Sequence, residues 1–488
     1  MSRTALLWTL WMVLTALTAS AVFATLYIGG DRTVLLPGQS AGAHHQLEIS
    51  CETCHTAKPF ESQAKVKKSI NKTCLTCHKD ELKAGDDSHP KKKFTNPRMA
   101  AYWEDVDGRF CTTCHAEHLP EQTEPMMLTL QGDFCIACHS EGEQDIRKDR
   151  ESHADLTFDT CASAGCHNYH DNRALYEDFL VKHAKTGWLT DTPIIAAAAL
   201  PSVPRAVDEQ EISTYLASIS APSETDDINH DWAASAHAAA EVTCQNCHAP
   251  ELTEWTDHPD QAVCADCHKG AAKSFSLGRH GMRGHSKISK PRDAEKRLKK
   301  LGWPDAPEVL ISAIETYLDD PGPPRTMTTD EARVELSQDA HGQGMTCNSC
   351  HLPHREEPQH TAVTACLTCH SDDHSQAYEN SPHHSLWQAE MSGAAPAGSG
   401  VTCATCHMAQ TEKKGFALTN HNQNDNLRPN EKMIRSVCLD CHGLGFAIDA
   451  LADPALISSN FTGQPIRHID SIDWAQKRVE PSEHGANQ

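Results

Sequence analysis

Aromatic side chains are scarce in this chain, 6% of 488 residues, and hydrophobic residues reach only 39%. That is lean for a length that suggests about three domains. It excludes a core built from side chains alone, so another apolar group must complete the interior. Positive charge is also short: 43 Lys and Arg stand against 66 Asp and Glu, a net charge of −23. An acidic surface excludes general nucleic-acid binding and broad attraction to anionic lipid. The imbalance is uneven, −6 over residues 31–190 and −18 over residues 191–488. Two basic clusters run against it, one of Lys65, Lys67 and Lys68 and one of Lys91, Lys92 and Lys93. Each reads either as a solvated face or as a docking patch for an acidic partner. Unpaired cysteine is absent altogether.

The 22 cysteines form 11 pairs, and each pair closes on a histidine. Ten read C-x-x-C-H: Cys51, Cys54 and His55; Cys74, Cys77 and His78; Cys111, Cys114 and His115; Cys135, Cys138 and His139; Cys244, Cys247 and His248; Cys264, Cys267 and His268; Cys347, Cys350 and His351; Cys366, Cys369 and His370; Cys403, Cys406 and His407; Cys438, Cys441 and His442. The eleventh is stretched, with Cys161, Cys166 and His167. Two thioethers clamp the edge of a haem, and the adjacent histidine then falls under the iron as its proximal ligand. The pattern therefore implies 11 covalent c-type haems and one-electron chemistry. Zinc knuckles need no histidine after each pair, and a thioredoxin-like pair needs a βαβ context that is not visible. The haems supply the missing apolar bulk, so the expected fold is mainly α with much irregular structure and little β, wrapped on a stacked haem chain. Without haem the chain should not fold, because ligands and core are the same groups.

Attachment of c-type haem takes place outside the cytoplasmic membrane, so the chain should begin with an export signal. Residues Ala5–Ile28 form a mostly apolar, uncharged run of 24 residues after Arg3, long enough to span a bilayer. Ala19-Ser20-Ala21 offers a cleavage site, but the apolar run continues past it, which favours an uncleaved anchor on the periplasmic side of a bacterial inner membrane over a soluble periplasmic protein. The expected organisation is a signal-anchor helix at 1–30, a pentahaem domain at 40–183, a Pro-containing linker at 184–229 with one helical piece near Ile212–Ile219, a hexahaem domain at 230–475 and a tail at 476–488. A cysteine-free insertion at 269–346 carries helical periodicity at Ala294–Leu301 and Glu308–Leu318. Phe446, Ile448, Leu451 and Leu456 are at roughly helical spacing and should pack back on the last haem.

Of 32 histidines, 21 lie outside the motifs. A low-spin electron-transfer haem takes a second axial ligand, whereas a catalytic haem leaves that position open. Candidate distal ligands in the first block are His44 or His45, His89, His118, His153 and His170. His118 and His170 follow their motifs in CHAEH and CHNYH, loops too short to reach the far face of their own haem, so each should reach a neighbour. The second block offers His237, His258, His280, His285, His341, His354, His374, His383, His384 and His421. For His183, His230, His285, His360, His468 and His484 a solvent-exposed or propionate-bonding role is equally open. The 11 methionines show no pairing with the motifs.

The segments HHQLEISCETCH, SHPKKKFTNPRMA and CTTCHAEH make residues 40–170 resemble class III (c3/c7-type) multihaem cytochromes. That resemblance implies bis-histidine, low-potential haems. The segments FSLGRHGMR, CNSCHLPH, HSQAYENSPHHSLW, GVTCATCHMA and NHNQNDNLRPNEKMIRSVCLDCHGLGFAIDALAD make residues 230–475 resemble the hydroxylamine oxidoreductase and ammonia-forming nitrite reductase superfamily. Two departures bear on what it implies. No C-x-x-C-K motif occurs, and residues 443–488 contain no tyrosine to cross-link a catalytic haem. The expected function is an undecahaem electron carrier of the periplasm in anaerobic or nitrogen-oxide respiration, passing electrons from a quinol-side donor to a periplasmic or outer-membrane acceptor; homo-oligomers occur among the relatives. The alternative is a reductase of nitrite or hydroxylamine at the haem of Cys264, Cys267 and His268. There Arg279, His280 and His285 would hold the anion and supply protons, unless His280 is itself an iron ligand.

Overall fold

The computed structural model describes residues 2–27, 36–57, 60–85, 87, 89–119, 128–130, 134–139, 169–170, 180–182, 184, 226–250, 254–285, 307–308, 327–355, 357, 360–413, 416–427, 430–469, 473 and 476–477. The expected mainly α architecture is what forms. Among the described residues the sheet content is one antiparallel hairpin, β1 (Gln410–Lys413) with β2 (Phe416–Thr419), in which Gln410 faces Thr419 and Lys413 faces Phe416. The helices expected near Ile212–Ile219, at Ala294–Leu301 and at Glu308–Leu318 lie outside the described residues, apart from Glu308.

Helix α1 (Arg3–Tyr27) is apolar on all sides. Its 25 residues span about 37 Å, enough to cross a hydrocarbon core of about 30 Å. The stretch Arg3–Val22 has mean hydropathy 1.8, and none of it is buried. Such a helix fits an anchor or an export signal equally well.

Helix α2 (Gln63–Gly85) has no internal proline or glycine, places Lys83 against the carbonyl end of its dipole and stops at Gly85. It carries Cys74, Cys77 and His78, and residues i, i+3 and i+4 of a helix share one face. The C-x-x-C-H spacing thus points two sulfurs and one imidazole the same way. The other motifs repeat that turn in miniature. The histidine N–H donates to the first cysteine carbonyl at 2.8 Å for His55 and His442 and at 2.9 Å for His115, His268, His351 and His370. Caps fix where the turns begin: Asp260 Oδ1 accepts from Ala262 N at 3.0 Å, and Thr402 and Thr405 exchange backbone-to-hydroxyl bonds at 3.0 and 3.1 Å.

By its internal contacts the chain compacts as two units interleaved in sequence. The first comprises Met1–Lys79, Asp107–Leu130 and Arg283–Arg325; the second comprises Asp80–Val106, Gln131–Met282 and Thr326–Gln488. The second unit holds an apolar cluster of Leu180, Ala184, Met433, Ile434, Leu444, Ala447, Ile448 and Leu451. The run Leu444–Leu451 is a helix whose Leu444, Ala447, Ile448 and Leu451 face inward at the expected spacing. Phe446 points elsewhere, stacking on the His442 ring at 4.7 Å. Among the described residues, large side chains that are fully buried are few. Those below 2% exposure include Ile434 and Leu444 but also the polar Gln46 and Ser381, so side chains alone make a thin interior.

His468 ties the end of the second unit together. Its Nδ1 lies 2.8 Å from Asp449 and its Nε2 3.0 Å from Asp473. These two carboxylates raise its pKa to about 9. A folded-state value above the unfolded one makes the contribution full below about pH 6.5 and lost as pH rises through about 9. The ring is half exposed, so the effect is small. His468→Gln should flatten the stability difference between pH 6 and pH 10, read by denaturant titration of the haem-loaded protein.

Candidate functional site

None of the 20 described cysteines is in a disulfide. Thiols of successive motifs meet. In the first unit the Cys74 thiol lies beside that of Cys111, and Cys54 is pushed up to about 11 by burial, with Glu117 and then Cys77 adding to it. Burial and the neighbouring Cys111 push Cys114 up to about 11. In the second unit the Cys264 thiol lies beside that of Cys347, and Cys366 beside Cys403. Burial raises Cys247 with Cys264 and Cys267 beside it, Cys350 with Cys366 and Cys369, and Cys406, up to about 12, with Cys438. The motifs that begin at Cys244, Cys264, Cys347, Cys366, Cys403 and Cys438 therefore follow one another in neighbour order, which is also chain order.

Cys138 and Cys441 are half-buried second cysteines of their motifs, fixed by the local turn. The Cys138 N–H donates to the Cys135 carbonyl at 3.2 Å, and the Cys441 N–H to the Cys438 carbonyl at 3.1 Å. Cys441 also adds to the burial and the Asp440 charge that push Cys438 up to about 12. Cys166 differs outright: with Cys161, His167 and His153, it lies outside the described residues. The eleventh attachment therefore stands on the sequence pattern alone.

The imidazoles are more specific still. Nine motif histidines each face one histidine from outside the motifs. In the first unit the ring centroids are 6.4 Å apart for His55–His118 and 5.9 Å for His78–His44. In the second they are 6.2 Å for His139–His89, 5.9 Å for His248–His354 and His268–His237, and 6.2 Å for His370–His280. They are 6.1 Å for His351–His421 and His407–His374 and 6.2 Å for His442–His383. Direct ring contact would tie separation to tilt, yet the tilts run from 10° for His248–His354 to 84° for His139–His89. Near-parallel rings at 5.9 Å leave a gap between them. Two metal–imidazole bonds of roughly 2 Å, plus about 1 Å from each ring nitrogen to its centroid, give roughly 6 Å. The spacing is thus what a bis-imidazole iron requires, and half-buried thiols flank it. The residues present fit covalent haem.

Several pairs arise from identifiable local devices. His118 has φ +64°, which turns it away from its own motif toward His55. Gly38 passes so close that a Cβ there would lie 2.5 Å from the His118 carbonyl oxygen, and the Gly38 carbonyl accepts from His118 Nδ1 at 2.9 Å. Backbone carbonyls orient other rings through Nδ1: Tyr169 for His89 at 2.8 Å, Ile457 for His374 at 2.5 Å and Thr419 for His421 at 3.1 Å. Asn460 (φ +49°) and Phe461 (φ +59°) form a tight turn. Its Phe461 ring lies 6.4 Å from His374 and 6.1 Å from His383. His44 Nδ1 is 2.5 Å from Glu117 Oε1. Burial alone would raise that carboxyl, but the bonds from His44 and from the Ala41 N–H hold it below its ordinary value. Burial pushes His280, His383 and His407 down to about 4, which keeps them neutral, as ligands must be.

Other candidates are placed differently. His341 bonds Asp330 at 2.9 Å, His258 is exposed, and His384 packs on Tyr378 at 5.1 Å. None of these three faces a motif histidine among the described residues. His45 Nδ1 meets the Gly42 carbonyl at 3.0 Å, and His170 Nδ1 is 3.2 Å from Asp87. Of the residues expected at a reductase site, His280 and Arg279 each have a partner elsewhere in the second unit. The ring across from His268 is His237, while His280 faces His370. Arg279 is turned to Asn424, its Nε 3.4 Å from Oδ1. His285 falls in the first unit. Sequence reasoning missed Glu117, Gly38 and Phe461. Glu117 could have been found, since it sits inside CHAEH; the other two carry no local signal.

No curated protein and no solved structure matches the chain significantly. Residues 43–127 match the family model described as Cytochrome c3, and this similarity supports a multihaem electron-transfer cytochrome with covalently bound c-type haem.

Proposed function

We propose that the chain is an undecahaem c-type cytochrome that carries electrons across the periplasm in anaerobic or nitrogen-oxide respiration. The observation that carries this reading is the pairing of nine motif histidines, each with one non-motif imidazole about 6 Å away. Bound haem would supply a one-electron couple at each motif. The chain's own residues do the rest. Two imidazoles would hold the iron at each paired motif, burial lowers the pKa of several of them, His280, His383 and His407 among these, and backbone carbonyls orient several through Nδ1. His115 and His167 would draw their second ligands from His45, His153 and His170. The neighbour order of the thiols would set the C-terminal sites in a single file from Cys247 to Cys438.

The segments 40–183 and 230–475 would be the five- and six-haem portions, the second a relative of the hydroxylamine oxidoreductase superfamily that has given up its open site. All six C-terminal motif histidines face a second imidazole, which disfavours nitrite or hydroxylamine reduction there. Helix α1 would hold the protein at the outer face of the inner membrane, near a quinol-side donor. The exposed lysines of α2, Lys65, Lys67 and Lys68 among them, suit an acidic redox partner. Low-temperature EPR of the oxidised protein tests the reading. Low-spin signals alone are expected. A high-spin, five-coordinate haem whose spectrum moves on adding nitrite or hydroxylamine would instead establish the reductase.

A further inference from the structure

Within the first unit, four consecutive residues, His115-Ala116-Glu117-His118, reach three motifs. His115 closes its own, and His118 crosses to His55. Glu117 crosses to the third: its Oε1 lies 2.5 Å from Nδ1 of His44, the ring that faces His78. Its other oxygen accepts from the Ala41 N–H at 2.9 Å, so the carboxylate is clamped on both sides. Ala41 is itself buried, 4% exposed, which leaves the clamp little room to move. Elsewhere the Nδ1 atoms of His89, His118, His237, His374 and His421 meet neutral backbone carbonyls. A carboxylate on Nδ1 differs from a carbonyl in two ways. It fixes the tautomer, leaving Nε2 as the lone-pair nitrogen, and it pushes electron density into the ring, making it a stronger donor.

We propose that Glu117 is a positioning residue for the haem of Cys74, Cys77 and His78, orienting His44 and, through its negative charge, holding that haem harder to reduce than a carbonyl partner would. A full negative charge near the iron and a more basic axial ligand both favour the ferric state, and the clamp keeps both in place in a partly desolvated setting where charge is weakly screened. The proposal rests on the reading of His44 and His78 as the two axial ligands of that haem.

The test uses the full-length, haem-loaded protein and EPR-monitored redox titration. Glu117→Gln keeps the shape and removes the charge. One haem should become easier to reduce by about tenfold in its reduction equilibrium, which is about 59 mV for one electron. Its g-values should shift while it stays low-spin, and the remaining haems should hold their positions. Glu117→Asp retains the charge and should recover most of the original equilibrium. A low-spin Gln variant in which no haem shifts more than twofold would overturn the proposal, as would an Asp variant that moves as far as Gln. If the Gln variant fails to mature, Glu117→Ala, which also removes the charge, takes its place and is read by the same two criteria. Failure of the ligand reading looks different. His44→Ala would then leave every haem low-spin, whatever Glu117 does.

Discussion

Replacing His280 by alanine is expected to turn one low-spin haem high-spin and open it to carbon monoxide or nitrite, and that haem should be the one at Cys366, Cys369 and His370. The rings of His280 and His370 face each other at 6.2 Å, and desolvation pushes the His280 pKa down to about 4. Removing it leaves an iron with one imidazole and a cavity lined by its neighbours. His237→Ala should do the same at Cys264, Cys267 and His268, because His237 is the ring opposite His268 at 5.9 Å. The two variants separate the competing accounts of this region. If His280 served an open catalytic haem at His268, its removal would change nitrite binding there and leave the His370 haem low-spin. EPR spin-state counting and carbon monoxide difference spectra read the result directly. One new high-spin haem per variant is the expected outcome, with the double variant giving two. An unchanged spin count in His280→Ala would break the assignment.

The second large effect lies in the apolar cluster. Leu444 is 0% exposed and packs with Ile434, Met433 and Ile448. It begins the helix directly after the last motif, so its position sets how His442 is presented. Leu444→Ala should remove about 2–5 kcal/mol of stability, the usual range for a fully buried leucine that leaves a cavity. Leu386, 45% exposed in the helix Pro382–Met391, is the matched control, and its alanine variant should fall within about 0.5 kcal/mol of the original. Guanidinium unfolding of the haem-loaded proteins, followed by far-ultraviolet circular dichroism, checks both. Equal losses at the two sites would mean that the haem contacts, and not this cluster, dominate the stability of the second unit.

Much of the local structure was readable without coordinates. The Cys–x–x–Cys–His turn follows from helical geometry, and α2 shows it in its most extended form around Cys74, Cys77 and His78. The absence of proline and glycine before Gly85 let that helix run on. The helix at Leu444–Leu451 was legible from its apolar spacing, although Phe446 leaves the cluster to stack on His442. The hairpin at Gln410–Lys413 and Phe416–Thr419 was not foreseen, since two four-residue strands lie below what alternation can signal. His383 and His384 were indistinguishable as neighbours in sequence. The helix beginning at Pro382 aims one at His442 and the other at Tyr378, about 100° apart around the axis.

What the sequence determined by itself is the chemistry at each motif, because two sulfurs and an imidazole at i, i+3 and i+4 are placed by a single helical turn and need nothing distant. Which second imidazole meets which motif was decided only by the tertiary structure. His280 passes over His268, close behind it in the chain, to face His370, and His118 swings on a positive φ to reach His55. A face-to-face pair is a long-range contact, fixed by how turns, caps and the Gly38 passage route the backbone. No local pattern in the chain encodes that routing.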